Sequence, residues 1–523
     1  MKEKKSGRVL IILTGGNVTL ASDLDKQNEI VLKPADVPYL KKELLGNETG
    51  DTILLQEGSL AGRTVHVDFE DLREGDEQKY HDPEELDSAQ VNPRLWSKLV
   101  RKIKDNYDSY EGFVILHGLD TMAYTAAALS FMLQNLNSPI ILTGSQRPLN
   151  FKRTDAVQNV FTAITFAAAG YLGVLPMIPG VSVYSYDTLF RGSRASMSSA
   201  TAYRSFDSPN FSPLATVGEH IEIQSHLVEP DKTAQVLTTK ENVDASVVIL
   251  DVYPGMDASI IHGLKQAEGI RGVLLRTYGM GTAPTSESVL VALRQLTDSG
   301  IVVMNVTQAR SGRISHGQDS VSLRLFEQGV VSGVDMTAEA AYAKMVVLLS
   351  EIDDSVVSTD LLQVEEAGEQ SQSIFHVHFD SNDTKDLNGS GTYSATLRPR
   401  GDVVEAHKIR QNVQLIDYIQ LRILGLKPGR DEDTGRNWST EVDISLIDPT
   451  SEGKIVASLK HDTLRWFAAG RKTINKAYDI TEFRDKLVSN KIPSTYVRLE
   501  SHQPIRWHLA SIALFAHVAG YRN

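Results

Sequence analysis

The chain has no cysteine among its 523 residues. That absence excludes disulfides, thiolate metal sites and a cysteine nucleophile. It suits a reducing compartment, and a cytoplasmic location is the expectation. Basic residues are in deficit: 53 Lys and Arg stand against 66 Asp and Glu, a formal net charge of −13. Such a balance argues against nucleic acid or an anionic membrane as the main partner. Long apolar runs are missing too. Near the start, Val9–Leu13 is too short for the apolar part of a signal peptide. The stretch from Val160 to Tyr186 carries no charge, but Pro176 and Pro179 interrupt it and Gly170 and Gly173 punctuate it. It reads as a buried helix, a turn and a core strand rather than a membrane span. What remains, 41% hydrophobic and 23% charged, is ordinary for a globular chain. Its length calls for two to four domains.

Short apolar runs recur at Val9–Leu13, Phe113–Leu116, Ile140–Thr143, Val247–Leu250, Val273–Leu275 and Ile301–Val306. Amphipathic stretches separate several of them. One starts at Asn92-Pro93, where Asn suits an N-cap and Pro the first helical position, and Leu95, Leu99 and Ile103 share one face. Strands alternating with helices predict parallel α/β layers. Residues 216–245 turn polar and lose periodicity, and 356–373 are acidic and rich in Ser and Gln. Both read as linkers. The expected divisions are therefore 1–215, an α/β domain; 246–355, a smaller α/β domain; and 374–523, a β-rich domain. The last is marked by period two. Val442, Ile444 and Leu446 alternate with Asp443 and Ser445, and Val497 and Leu499 alternate with Tyr496 and Arg498. A β-sandwich is expected there, with a short helix over Thr481–Ser489.

Several motifs occur in a fixed order: Leu13-Thr14-Gly15-Gly16-Asn17, Leu86-Asp87-Ser88-Ala89-Gln90, Tyr110 through Tyr124 with His117-Gly118-Leu119-Asp120-Thr121 at its heart, Thr143-Gly144-Ser145-Gln146-Arg147-Pro148, Arg191-Gly192-Ser193-Arg194, Ser208-Pro209-Asn210, Tyr253-Pro254-Gly255, Tyr278-Gly279-Met280-Gly281 and Asn305-Val306-Thr307-Gln308. As an ordered set they resemble the cytoplasmic (type I) L-asparaginases over roughly residues 7–350. The resemblance implies two asparaginase-like α/β domains, a homodimer or homotetramer with sites at subunit interfaces, and a small amino-acid or amide ligand. No cofactor and no metal are implied.

Hydrolysis of a side-chain amide needs a nucleophile, a base and an oxyanion stabiliser. The resembled family uses a threonine after the two glycines, a second in its His-Gly-Thr-Asp-Thr motif, and a lysine just after Arg-Gly-x-Arg. Here those positions carry Asn17, Leu119 and Met197. None of the three is an ionisable nucleophile or base. Of the ligand-contacting positions the resemblance implies, Ser88, Gly118 and Asp120 remain, while an acidic residue has become Gln90. Asp120 has a second reading as a loop or helix-capping carboxylate, and Ser88 as a turn residue. Thr19, two residues past Asn17, is the candidate for a displaced nucleophile.

Weaker signals stay open. His376 and His378 share a face of an expected strand, as zinc ligands or as surface histidines. Asp380 to Asp386 reads as a poor calcium loop or an Asx-rich turn. Trp438, Trp466 and Trp507 read as core or as a stacking surface. Arg147, Lys152 and Arg153 read as an anion site or a solvated loop. Three functions compete: a degenerate or repurposed asparaginase-like module binding an amino acid or related ligand; an active asparaginase- or glutaminase-type amidohydrolase using Thr19 or a water; and a platform whose β domain engages a protein or glycan partner.

Overall fold

A computed structural model describes residues 7–24, 30–45, 50–55, 62–73, 87–173, 175–228, 236–314, 320–352, 361–363 and 365–371, together with the backbone of strands between Ile374 and Val518. The chain divides into two compact units. The first holds residues 1–245, 336–351 and 366–369; the second holds 246–335, 352–365 and 370–523.

The first unit is built on a nine-stranded sheet. Its middle is five parallel strands in the order Thr64–Asp71, Arg8–Leu13, Gly112–Leu116, Pro139–Thr143 and Gly180–Ser185. Arg8–Leu13, Gly112–Leu116 and Pro139–Thr143 are almost wholly buried. This is why they appear in sequence as unbroken apolar runs: a parallel sheet is covered on both faces. The expected helix exists as Pro93–Asn106, with the Asn92 side chain accepting the Arg94 N–H at 3.0 Å. Leu99 and Ile103 are fully buried on its inner face. The uncharged stretch after Val160 resolves into helix Ala156–Ala167, a further short helix Ala169–Leu172 in place of the expected turn, and the sheet strand Gly180–Ser185. Among the described residues no helix is long and apolar enough to cross a membrane.

Antiparallel strands complete both edges, and one of them corrects the expected linker at 216–245. Ala215–Val217 and Ile221–Ile223 form a hairpin on the sheet, and Thr238–Thr239 pairs with Leu133–Gln134. Edge strands face solvent, so their side chains are polar enough to mimic a loop. Helix Ala338–Glu351 falls within the span expected for the smaller domain. It groups with the first unit and packs on helix Leu119–Met132, with Tyr342 edge-on to Tyr124 at 5.6 Å.

In the second unit Ser246–Asp251, Ile270–Thr277, Val302–Thr307 and Val331–Ser332 form a parallel sheet. Helices Ala258–Gln266 and Glu287–Asp298 cover it through Ile261, Leu290, Leu293 and Leu296, which pack with Val273, Leu275 and Val303. The β-rich part consists of antiparallel sheets of four and five strands and a two-stranded pair. Strand Ser439–Asp448 carries the alternating Val442, Ile444 and Leu446, and its register sets Ile444 opposite Leu499 and Leu446 opposite Val497. The expected helix at 481–489, the Ser381-to-Asp386 part of the expected calcium loop, Trp438 and Trp466 lie outside the described residues.

Candidate active site

In an open parallel sheet, ligands bind beyond the carboxyl ends of the strands where the strand order reverses. Here the reversal falls between Arg8–Leu13 and Gly112–Leu116, since the chain continues outward from them in opposite directions. The loops that leave these two strands carry Gly15-Gly16-Asn17 and His117-Gly118-Leu119-Asp120. Fold topology and sequence motifs therefore select one place.

The two loops touch through backbone. Gly16 has φ of 81°, and a Cβ there would fall 2.3 Å from Gly118 Cα. A Cβ on Gly118 would fall 2.5 Å from Ser88 Cβ. Gly16, Gly118 and Ser88 thus form one close contact that no larger residue fits at the glycine positions. Ser88 opens a short turn capped by Asp87, whose carboxylate accepts the Ala89 N–H at 2.8 Å. The Thr121 hydroxyl donates to the Ser88 carbonyl at 2.7 Å. Gly118 is the N-cap of helix Leu119–Met132, with Asp120 in the first turn, where a carboxylate complements the helix dipole. Ser88 is 5% exposed, whereas Asp120 and Gln90 are exposed.

The three unusual positions have settled environments. The Asn17 amide donates to the Gln146 carbonyl at 3.0 Å. Leu119 is half-buried, its Cδ2 close against Gly144, where a Cβ would lie 3.1 Å from it. Met197 lies on the short strand Ser196–Met197, half-buried, paired with Phe206–Asp207 and packed along helix Leu119–Met132. Its neighbour Ser196 donates to Glu339 at 2.8 Å.

Thr19, the candidate for a displaced nucleophile, is turned inward. It is fully buried, and its hydroxyl donates back to the Gly16 carbonyl at 3.0 Å while its N–H bonds the same oxygen. The hydroxyl closes the turn that carries Asn17. The basic trio does not form a pocket: Arg147 lies over the Phe151 ring at 5.5 Å, and Lys152 and Arg153 are exposed.

Two supporting networks had no sequence signal beyond the motifs themselves. Behind Gly118, buried His117 donates from Nδ1 to the Gly118 carbonyl at 2.7 Å. A carbonyl only accepts, so this fixes the neutral tautomer with Nε2 as acceptor. Thr125 donates to Nε2 at 3.0 Å and in turn accepts the Trp96 indole N–H at 3.1 Å. Burial lowers the His117 pKa to about 4. The second network centres on Gln146. Its side chain donates to the Ala200 and Ala202 carbonyls and to Ser205, while its backbone N–H is held by Asp155. Burial pushes the Asp155 carboxyl up, against the hydrogen bonds it accepts from backbone N–H groups and Asn159.

Two family models match this chain in order: "Asparaginase, N-terminal" over residues 8–229 and "Glutaminase/Asparaginase C-terminal domain" over residues 246–358. L-asparaginase 1 of Escherichia coli strain K12 is 37% identical over 279 residues, covering 53% of this chain and 80% of that protein. The chain belongs to the asparaginase family. Relatives with other names exist: the human 60 kDa lysophospholipase is 32% identical over 376 residues, 70% of this chain and 61% of that protein. Among solved structures, L-asparaginase I of Vibrio cholerae superposes with a TM-score of 0.58 at 30% identity, covering 70% of this chain and 99% of that one. The family matches end at residue 358, before the β-rich strands begin at Ile374.

Proposed function

We propose that this asparaginase-family chain is a repurposed module that binds an amino acid or a related small amide without hydrolysing it by the family's threonine chemistry. The observation that carries the reading is the state of the Gly15–Thr19 turn. Its one candidate hydroxyl, on Thr19, is buried and hydrogen-bonded to Gly16, and the outward position holds Asn17, an amide bonded to Gln146. Hydroxyl attack requires an accessible oxygen and a base beside it. Leu119 and Met197 supply neither. Ser88, the Gly118 turn and exposed Asp120 offer a polar end able to hold an α-amino acid, with Asp120 suited to a charge-assisted bond to its ammonium. The leucine and methionine make the rest of the pocket more apolar than an asparagine site requires.

The competing reading is an active amidohydrolase that works through an activated water, and family membership supports it. One assay separates them: ammonia release from L-asparagine and L-glutamine by the purified full chain, with calorimetric binding of L-asparagine in parallel. Binding without ammonia is expected. Turnover within the ordinary enzyme range of about 1–10³ per second would overturn the proposal. The homodimer or homotetramer implied by the family, and a protein or glycan partner for the β-rich part, belong to the same proposal.

A further inference from the structure

Residues 366–369, Glu-Ala-Gly-Glu, lie beyond both family matches and have the composition of a linker. They return to the first unit and are held there by a set of specific contacts. Glu369 is fully buried and ion-paired with Lys344, itself 1% exposed, at 2.5 Å. The same carboxylate accepts the N–H groups of Glu366 and Ala367, at 3.1 and 2.8 Å, so the segment is wound around its own side chain. Its carbonyls face the Arg191–Arg194 motif: the Ser193 hydroxyl donates to Ala367 O at 2.7 Å and Arg194 Nε to Gly368 O at 2.6 Å. Glu366 accepts from Lys240 at 3.0 Å and from Gln134. Gly368 has φ of 69°, and a Cβ there would run into the Arg191 guanidinium at 1.7 Å.

What these contacts hold is the segment that carries Met197, which packs along the helix beginning at Leu119. Arg191–Arg194 leads directly into Ser196–Met197. Lys344 lies on helix Ala338–Glu351, which bonds Ser196 through Glu339 and packs on the helix that begins at Leu119. A few residues past Glu369 the chain enters the first β-rich strand, Ile374–Asp380.

We infer that residues 366–369 form a latch within the first unit, in which the buried Glu369–Lys344 pair and the Gly368 contact with Arg191 and Arg194 fix the segment that carries Met197. Glu369 is here a positioning residue; it touches no reacting atom. The inference goes beyond the binding proposal, because its primary readout needs no ligand.

The test is hydrogen exchange measured by mass spectrometry on the full-length chain, wild type against Glu369→Gln and Gly368→Ala. The latch predicts at least tenfold faster exchange over residues 191–197 in both variants, with strands 270–277 and 302–307 of the second unit unchanged. Unchanged protection at 191–197 in both would overturn it. If Glu369→Gln accelerates exchange everywhere, the milder Gly368→Ala decides: a rise confined to 191–197 and 338–351 supports the latch, and a uniform rise or none overturns it. A parallel titration with L-asparagine should show at least tenfold weaker binding in both variants. Absence of binding by the wild type would count against the binding proposal alone, leaving the exchange result to judge the latch.

Discussion

At the scale of single residues, the candidate site is held from behind. His117 neither reaches solvent nor carries a positive charge at neutral pH, yet its ring fixes the carbonyl of the residue that meets Gly16 and Ser88. Thr125 serves two neighbours, giving its proton to His117 and accepting one from Trp96. Thr125→Val keeps the shape and removes both bonds. It should destabilise the protein by about 2 kcal/mol, the cost of leaving buried polar atoms unpaired, as read from urea denaturation. Thr19→Ala should cost about 1 kcal/mol by loosening the turn, and should leave any ammonia release unchanged. Full loss of such release in Thr19→Ala at unaltered stability would restore its role as a nucleophile. The residue-level signal was uneven in the sequence. Gly15, Gly16, Gly118 and Asp120 are legible because they sit in short motifs. His117, Thr125 and Trp96 are spread along the chain and look ordinary one by one; only the fold brings their polar atoms together.

Among elements, strands and core helices were the easiest to read and edges the hardest. Gly112–Leu116 and Pro139–Thr143 are covered on both faces, so burial writes them as continuous apolar runs. The hairpin from Ala215 to Ile223 is an edge, needs no such run, and reads in sequence as a linker. The segment 366–369 misleads for a different reason. Glutamate is almost never fully buried unless paired, and its partner Lys344 lies on a helix that local composition does not connect to it. This pair also sets a prediction for its element. Glu369→Gln leaves a buried ammonium facing a neutral amide and should cost about 3–5 kcal/mol, whereas Lys344→Met combined with Glu369→Leu removes both charges and should recover part of that loss, the remainder being the acceptor lost to the Glu366 and Ala367 N–H groups. Equal destabilisation by the single and double variants would show that the charges are not what matters.

For the whole molecule, two of the buried titratable groups, Glu369 and His117, contribute to an acid response. Burial raises the Glu369 carboxyl, but Lys344 and the surrounding N–H groups outweigh this, and the net shift is downward. A carboxyl lowered on folding stabilises the protein above its ordinary value, and that contribution is lost as pH falls through the lowered one. His117 titrates earlier. Its value falls from 6.5 to about 4, so between these pH values the unfolded chain binds the extra proton and stability must drop as pH falls. The shift corresponds to about 3 kcal/mol across that window. Denaturant midpoints measured from neutral pH down to about pH 4 should decline, and His117→Gln should flatten the upper part of the decline. A midpoint that stays level through that window would contradict the buried neutral ring.

The chain path through the two units has a consequence for synthesis. The first unit closes only when residues 336–351 and 366–369 have joined residues 1–245. At about 5–20 residues per second, a nascent chain that has finished the first of these stretches waits on the order of ten seconds before the last piece of that unit is available. During that interval the face awaiting helix Ala338–Glu351 is open, including Tyr124, which later meets the Tyr342 ring. On the ribosome that apolar face is therefore uncovered at a stage when all nine strands of the first sheet have been synthesised.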